Sequence, residues 1–189
     1  MSDNKSNKNI TTSIEDARSY AEHQNLKLVF TTELSDELID VVSRRSNDLP
    51  TLYFASIERL KKRLKNGCFL LMKGDEVIGH IFAHKHKFRN YFVFERSSLW
   101  VHPNYRKYNL GLLLMNELTE RFKDEIVISI AKEPKVHRNN ELLGMTQMSL
   151  SEISPLLVKE LEKIGKLRDE IHYKYYVNQY LESLLRRFK

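Results

Sequence analysis

Three extended runs follow one another between residues 68 and 101, and they constrain the fold more than any other part of the sequence. The first two flank Lys73-Gly74-Asp75-Glu76, whose glycine and acidic residues are typical of a hairpin turn. The third, YFVFERSSLWV, ends just before Pro103, which cannot continue a hydrogen-bonded strand. Helical periodicity lies on both sides, so the chain predicts helices packed on a mixed β-sheet.

The remaining segments complete a predicted order of elements. Residues 1–12 are polar and are predicted to be a disordered tail, followed by a short helix from Ser13 to about His23. The other predicted elements are a strand at 26–32, helices at 36–46 and 56–66, a helix at 110–122, a buried strand at 125–131, a helix at 133–143 and a strand at 145–151.

The C-terminal part allows two interpretations. Ser154 followed by Pro155 predicts a helix start, and that helix is expected to reach about residue 169. HYKYYV, residues 172–177, alternates enough to predict a final strand, after which Asn178 would cap a last helix. An uninterrupted helix from residue 155 to the end is the alternative.

The same order predicts the fold class and the domain organisation. We expect an α/β protein of the α+β kind, with a central mixed sheet flanked by helices and a C-terminal helical extension. No internal repeat and no linker rich in Pro, Gly or Ser interrupts the chain. One domain is therefore expected over residues 13–189, with its core at about 26–145 and its extension at 146–189.

Composition suits an anionic ligand and argues against several protein classes. The 189 residues carry 31 Lys and Arg against 25 Asp and Glu, a formal net charge of +6. The single cysteine, Cys68, allows neither an internal disulfide nor a Cys-x-x-Cys zinc pattern. No apolar run approaches the roughly 20 residues that a membrane span needs. We expect a cytoplasmic protein without a membrane partner.

The run VHPNYRKYNLGLLLMNEL, residues 101–118, joins the third strand to an amphipathic helix. A helix N-terminus carries unpaired N–H groups and about half a positive charge, so it suits a phosphate. Arg106 and Lys107 strengthen this preference, and Asn109 and Gly111 are expected to let the backbone turn tightly. The run predicts a diphosphate-binding site.

This run, extended to LWVHPNYRKYNLGLLLMNEL, resembles the cofactor-binding motif of the GNAT superfamily of acyl-CoA N-acyltransferases. In that motif a strand ends in Val-x-Pro and leads through Arg/Gln-x-x-Gly-x-Gly/Ala into a helix. Arg106 matches the first position and Gly111 the last, while Asn109 stands where the family has its middle glycine. The likeness extends over about residues 26–145 through the order of elements.

The resemblance implies acetyl-CoA as cosubstrate and a primary amine, on a small molecule or a peptide, as acceptor. Backbone groups of Leu99, Trp100 and Val101 would pair with the pantetheine arm, while the Trp100 side chain is expected in the core. Asn139 or Asn140, of which Asn140 is the candidate chosen, would contact the cofactor as an asparagine of the family does. The residues implied at the pyrophosphate are Arg106, Lys107, Tyr108, Asn109, Leu110, Gly111 and Leu112.

Acyl transfer also needs proton-handling groups, because an ammonium with a pKa of about 10.4 must lose a proton before it attacks. Glu95 lies six residues before Val101, where the family often carries an acid, and is the candidate base; a salt-bridged strand carboxylate is the alternative. The family's usual acid is a tyrosine, but residues 133–145 contain none, so His137 is the candidate acid. A backbone N–H near Leu99 would hold the oxyanion.

Three histidines share one face of a predicted strand. His80, His84 and His86 alternate with other residues, and a His-x-His pair on a strand can bind zinc. No further ligand is identifiable in the sequence, so we expect no metal. Bonds to neighbouring strands, or contacts to the acceptor, are the alternative roles.

Two other functions fit the same sequence. A basic nucleic-acid-binding module would use NYRKYN for phosphate and the tyrosines of residues 173–180 for base stacking, but such tyrosines more often pack in a core, and we expect no nucleic acid. A domain that binds coenzyme A without catalysis is the third reading, because the usual tyrosine is missing. The C-terminal helix would pack on its own sheet or on a second copy in a homodimer.

Overall fold

The computed structural model describes residues 3–47, 56–88, 91–153, 155–163 and 165–178. None of the helices in these ranges combines the length and the apolar composition that a membrane crossing requires. The helices are α1 Asp3–His23, α2 Asp36–Asn47, α3 Ile57–Leu64, α4 Leu110–Arg121, α5 Pro134–Leu142 and α6 Pro155–Lys163, with a short 3-10 helix at Pro103–Tyr108. The strands are β1 Lys27–Thr31, β2 Cys68–Lys73, β3 Glu76–Phe88, β4 Tyr91–Val101, β5 Ile126–Ala131, β6 Thr146–Met148 and β7 Lys174–Val177.

The strands form one seven-stranded mixed sheet in the order β1-β2-β3-β4-β5-β7-β6. β2 is antiparallel to β1 and β3, whereas β4 and β5 are parallel, with Glu95 opposite Ile128. β7 lies antiparallel to both β5 and β6. A parallel pair needs a crossover connection, which α4 supplies between β4 and β5. The predicted mixed sheet flanked by helices is confirmed.

The chain divides into two compact units, each with its own apolar core. The first comprises Met1–His84 with Ser97–Arg121, and the second comprises Lys85–Arg96 with Phe122–Lys189. The prediction of one domain stays a prediction. Buried core residues of the first unit are Ile39, Val42, Leu60, Leu64, Cys68, Leu70, Val77 and Phe82, and those of the second are Val93, Ile126, Ile128, Ile153, Leu157, Leu161, Tyr175 and Val177.

Helix α1 is longer than the sequence predicts. It begins at Asp3, not at Ser13, so the stretch predicted as a disordered tail is helical from its third residue. A helix that is anchored at one end extends at little cost, because adding a residue is far easier than starting a new turn. The anchor includes Tyr20, whose ring stacks on Tyr108 with centroids 3.8 Å apart.

The C-terminal part follows the strand interpretation. β7 at Lys174–Val177 excludes the uninterrupted helix, and α6 ends at Lys163, before the predicted residue 169. Gly165 has a φ of 68° and its N–H donates to the Glu162 carbonyl, which closes the helix end. The Asn178 side chain bonds to the backbone of residues 125 and 127, and the helix predicted beyond it lies outside the described residues.

Candidate active site

The loop between β4 and α4 reverses the chain at one left-handed residue. His102 caps the 3-10 helix Pro103–Tyr108, since its Nδ1 accepts the Asn104 N–H at 3.3 Å. Asn109 follows with φ 55° and ψ 16°, which asparagine tolerates better than most residues with a Cβ. The Asn109 carbonyl then accepts the Leu113 N–H at 3.1 Å, so α4 begins immediately after the turn.

The same loop combines exposed positive charge with buried apolar side chains. Arg106 and Lys107 are exposed, and Arg106 Nε donates a hydrogen bond to the Val101 carbonyl at 3.0 Å. Leu110 and Leu112 are 0% and 2% exposed, so they offer a ligand only their backbone. Cationic side chains and a helix N-terminus therefore share one short segment, an arrangement that suits an anion.

Gly111 does not shape the turn, which corrects the expectation for this residue. Asn109 has a positive φ, whereas Gly111 does not. A Cβ built at Gly111 would lie 3.8 Å from Val101 Cγ2 and 3.9 Å from Leu99 Cδ2, both ordinary contact distances. Packing within the described protein therefore does not explain why this position lacks a side chain.

The end of β4 contains the three residues predicted to bind the cofactor through their backbone, Leu99 to Val101. The Trp100 side chain is buried, with its centroid 5.7 Å from that of the His80 ring and 4.6 Å from the Arg45 guanidinium carbon. The prediction that Trp100 packs in the core is confirmed. Its side chain is occupied by these contacts, and the binding of a cofactor by the backbone of Leu99 to Val101 stays a prediction.

Glu95 lies in a buried ionic cluster within the second unit. Its Oε2 is 2.8 Å from His86 Nε2, and its Oε1 is 2.9 Å from Lys166 Nζ. The Glu95 and His86 side chains are 7% and 5% exposed, and that of Lys166 is 16% exposed. Both carboxylate oxygens therefore have nitrogen partners in a region shielded from water.

These contacts lower the pKa of Glu95 to about 2. Burial alone raises the pKa of a carboxyl group, but the hydrogen bond from His86 and the charge of Lys166 outweigh it. Glu95 is thus ionised at neutral pH. Direct transfer of a proton from an ammonium group to this carboxylate is uphill by roughly 10 kcal/mol.

His137 and Asn140, both on α5, use polar atoms within the protein. The His137 Nε2–H donates to the Ala131 carbonyl at 2.9 Å. Asn140 is 0% exposed; its Nδ2 donates to Ser129 Oγ at 3.2 Å, and its Oδ1 accepts a hydrogen bond from Arg96. Their proposed roles as acid and as cofactor contact stay predictions.

Tyr176 is a buried phenol that the sequence analysis did not select. Its hydroxyl lies 3.2 Å from Glu141 Oε1 and 3.3 Å from Gln147 Oε1, and its ring centroid is 5.9 Å from that of His137. Burial first, and then the Glu141 carboxylate, raise the pKa of Tyr176 to about 12. The hydroxyl therefore keeps its proton at neutral pH.

Two of the strand histidines bond to β4, as one interpretation expects. The His80 Nδ1–H donates to the Ser98 carbonyl at 2.8 Å, and His86 bonds to Glu95. Burial lowers the pKa of His80 to about 4, so its ring is neutral at physiological pH. The expectation of no metal stays a prediction.

Sequence reasoning missed three polar side chains of these clusters, Lys166, Arg96 and Tyr176. Lys166 stands among other charged residues 71 positions after Glu95, and no local pattern marks it. Arg96 does carry a signal, because a charged pair inside an apolar strand requires buried partners. Tyr176 lies on β7, outside the helix in which an acid was sought.

A family model described as "Acetyltransferase (GNAT) family" matches residues 20–145. The matched range contains the loop at the start of α4 and also Glu95, His137 and Asn140. A comparison with curated protein sequences finds no significant match.

Solved structures share the fold at low sequence identity. N-acetylglutamate synthase from Neisseria gonorrhoeae, complexed with coenzyme A and N-acetyl-glutamate, has a TM-score of 0.59 and 15% identity, covering 80% of this chain and 35% of its own. This chain thus spans about a third of that protein. Arabidopsis thaliana Naa50, in complex with the bisubstrate analogue CoA-Ac-MVNAL, has a TM-score of 0.56 and 13% identity, covering 80% and 96%. An acetyltransferase from Streptococcus agalactiae 2603 has a TM-score of 0.59 and 14% identity, covering 81% and 97%.

Proposed function

The chain belongs to the acetyltransferase (GNAT) family, and from this premise we propose that it transfers an acetyl group from acetyl-CoA to a primary amine. One observation carries the proposal: Asn109, in a left-handed conformation, joins a cationic 3-10 helix to the N-terminus of α4. The first N–H groups of a helix have no partner inside it, so they are donors for a ligand.

The pyrophosphate of acetyl-CoA would bind at this loop. The donors would be the N–H groups of residues 108–112, assisted by the charges of Arg106 and Lys107. Gly111 supports this assignment, because the protein would accept a Cβ there whereas a phosphate approaching the backbone would not.

The backbone of Leu99 to Val101 would pair with the pantetheine arm and place the thioester. As the amine attacks, negative charge builds on the thioester oxygen. A backbone N–H near Leu99 would stabilise this charge. The carbon–sulfur bond then breaks, and coenzyme A leaves as a thiolate.

Glu95 would assist deprotonation of the amine while remaining ionised itself. The Glu95 carboxylate would attract the ammonium form of the acceptor. His86 and Lys166 hold the carboxylate in place. With a pKa of about 2, Glu95 does not keep a proton at neutral pH. The proton from the amine would therefore pass to water, either directly or by way of His86.

The departing thiolate needs a proton, and His137 is the proposed donor. Its Nε2–H bonds to the Ala131 carbonyl, so donation would require that bond to break. Tyr176 lies beside the His137 ring and stays protonated, so its hydroxyl adds no negative charge next to the proposed donor.

Amino-acid and peptide α-amines are the proposed acceptor class. Of the structures with this fold, one holds N-acetyl-glutamate and another holds a bisubstrate analogue with a peptide part. An acceptor screen should therefore begin with free amino acids and short peptides whose α-amine is unblocked, followed by other primary amines.

The first experiment is isothermal titration with acetyl-CoA and, separately, with a short single-stranded oligonucleotide, each at low and moderate salt. We expect saturable binding of acetyl-CoA that persists as salt rises, because a shaped site depends less on counterion release than a nucleic-acid backbone does. Salt-sensitive oligonucleotide binding without acetyl-CoA binding would overturn the proposal. Acetyl-CoA binding without turnover across the acceptor screen would favour a noncatalytic domain.

A further inference from the structure

Ser98 has a conformation that a residue with a side chain rarely adopts inside a strand. It lies within β4 with a φ of 53°, in the left-handed region that favours glycine. Such a residue bends the strand and changes the direction of the backbone that follows. The residues that follow are Leu99 to Val101, whose backbone the proposed reaction uses. The contacts that hold Ser98 in this conformation therefore also orient the backbone N–H near Leu99.

Two buried side chains hold Ser98 from different elements. The His80 Nδ1–H, from β3, donates to the Ser98 carbonyl at 2.8 Å. Arg63 Nη1, from α3, donates to the Ser98 hydroxyl oxygen at 2.8 Å. His80 is 0% exposed and Arg63 is 5% exposed, so water does not readily replace either donor. The carbonyl and the hydroxyl of one strained residue are thus fixed.

The His80 donor is itself held rigidly. Its ring stacks on Trp100 with centroids 5.7 Å apart at 15°, and it meets Phe82 edge-on at 5.7 Å. Arg45 covers the Trp100 ring. Packing on several sides leaves the imidazole little freedom to turn away from Ser98, as in any close-packed interior.

We propose that His80 and Arg63 are positioning residues that keep Ser98 left-handed and thereby aim the backbone N–H near Leu99 at the thioester oxygen. This inference rests on the proposed acetyl transfer. Both residues act through Ser98 and not on the reacting atoms. Without these two donors Ser98 relaxes toward an extended conformation. The transition state, in which the thioester oxygen gains negative charge, is then less stabilised, so kcat falls more than the affinity for acetyl-CoA.

The kinetic test uses His80→Phe, which keeps an aromatic ring and removes the donor. With the best acceptor from the amine screen, we expect kcat to fall about 10- to 100-fold while the Kd for acetyl-CoA changes less than about 3-fold. His80→Asn is the conservative control, since its amide nitrogen takes the place of Nδ1, and it should keep most of the activity. A folded His80→Phe protein with parental kcat overturns the proposal.

Rescue by glycine separates positioning from a general structural role. Adding Ser98→Gly to His80→Phe should restore kcat to within about 3-fold of the parent, because glycine adopts the left-handed conformation unaided. Failure of this rescue also overturns the proposal. If His80→Phe does not fold, Ser98→Ala removes only the hydroxyl held by Arg63; we expect a several-fold lower kcat, and an unchanged kcat contradicts the proposal.

A double-mutant cycle measured by thermal unfolding tests whether His80 holds the conformation of Ser98, independently of catalysis. We expect Ser98→Gly to raise the Tm of His80→Phe by about 3 °C more than it raises the Tm of the parent. Equal shifts in both backgrounds mean that His80 does not hold Ser98, which overturns the inference. A parent protein that neither binds acetyl-CoA nor turns over overturns the proposed function instead, and the cycle keeps the two failures apart.

Discussion

The cofactor loop, residues 102–112, and the Glu95 cluster, His86, Glu95 and Lys166, are assembled in opposite ways. The loop is one contiguous segment whose ligand groups are mostly backbone N–H donors and whose conformation depends on Asn109. The cluster gathers side chains from β3, from β4 and from the segment after α6. Local sequence can encode a backbone binding site, whereas the protonation state of a buried acid depends on partners far along the chain.

The largest expected effect belongs to the cofactor loop. Gly111→Asp adds bulk and negative charge where the pyrophosphate is proposed to sit, so acetyl-CoA affinity should fall by more than about 100-fold. Isothermal titration measures the loss. Gly111→Ala is the matched control: its Cβ meets neighbours at 3.8 Å and beyond, so its Tm should equal that of the parent. Unchanged affinity in a folded Gly111→Asp protein would remove the loop from the binding site.

The Glu95 cluster should show the reverse pattern, a loss of rate without a loss of cofactor binding. Glu95→Gln keeps the shape and removes the charge, and we expect kcat at neutral pH to fall by about 100-fold with a nearly parental Kd for acetyl-CoA. Steady-state kinetics and titration together measure the split. Glu22→Gln, at an exposed position on α1, is the control carboxylate. A parental rate for Glu95→Gln would place the base elsewhere or assign that role to water.

The contribution of the Glu95 cluster to the stability of the fold should depend on pH. The pKa of Glu95 is lowered in the folded protein, so its contribution is present above the unfolded pKa of about 4.3 and is lost as pH falls toward 2. The stability advantage of the parent over Glu95→Gln should shrink by on the order of 3 kcal/mol between pH 5 and pH 2. Denaturant unfolding at several pH values measures it. A constant difference would mean that His86 and Lys166 do not hold the carboxylate ionised.

The smallest expected effect is at Asn109. Glycine adopts the left-handed conformation at no steric cost, so Asn109→Gly should change stability by less than about 1 kcal/mol and should leave acetyl-CoA binding intact. Asn109→Val is the contrasting variant, because a β-branched residue is strongly disfavoured at positive φ. Thermal unfolding and titration compare the two. Equal behaviour of both variants would mean that the turn does not need this conformation.

Signals within a few residues made most elements predictable. The hairpin at Gly74, the end of β4 before Pro103 and the start of α4 at Leu110 all lie where local chemistry places them. Asn109 departs from the family motif, and its role in the turn could still be predicted from the sequence. Asparagine tolerates the left-handed conformation that the loop adopts.

Longer-range contacts account for what was missed or misjudged. Helix α1 begins at Asp3 although its first residues look like a disordered tail. Ser98 carries no glycine or asparagine signal for a left-handed conformation, which depends on donors from His80 and Arg63. Neither donor is a sequence neighbour of Ser98, so a reading of β4 alone could not identify them.

The amino-acid sequence by itself determined the order of strands and helices, a cationic loop and a helix N-terminus suited to a phosphate, because each depends on residues close together in the chain. Only the tertiary structure decided the chemical state of the polar groups. Glu95 could have been a base with an ordinary pKa, and it became a strongly ionised carboxylate because folding brought His86 Nε2 within 2.8 Å and Lys166 Nζ within 2.9 Å of it in a buried environment. A pKa reflects the electric field of all neighbours, and those neighbours are chosen by the fold.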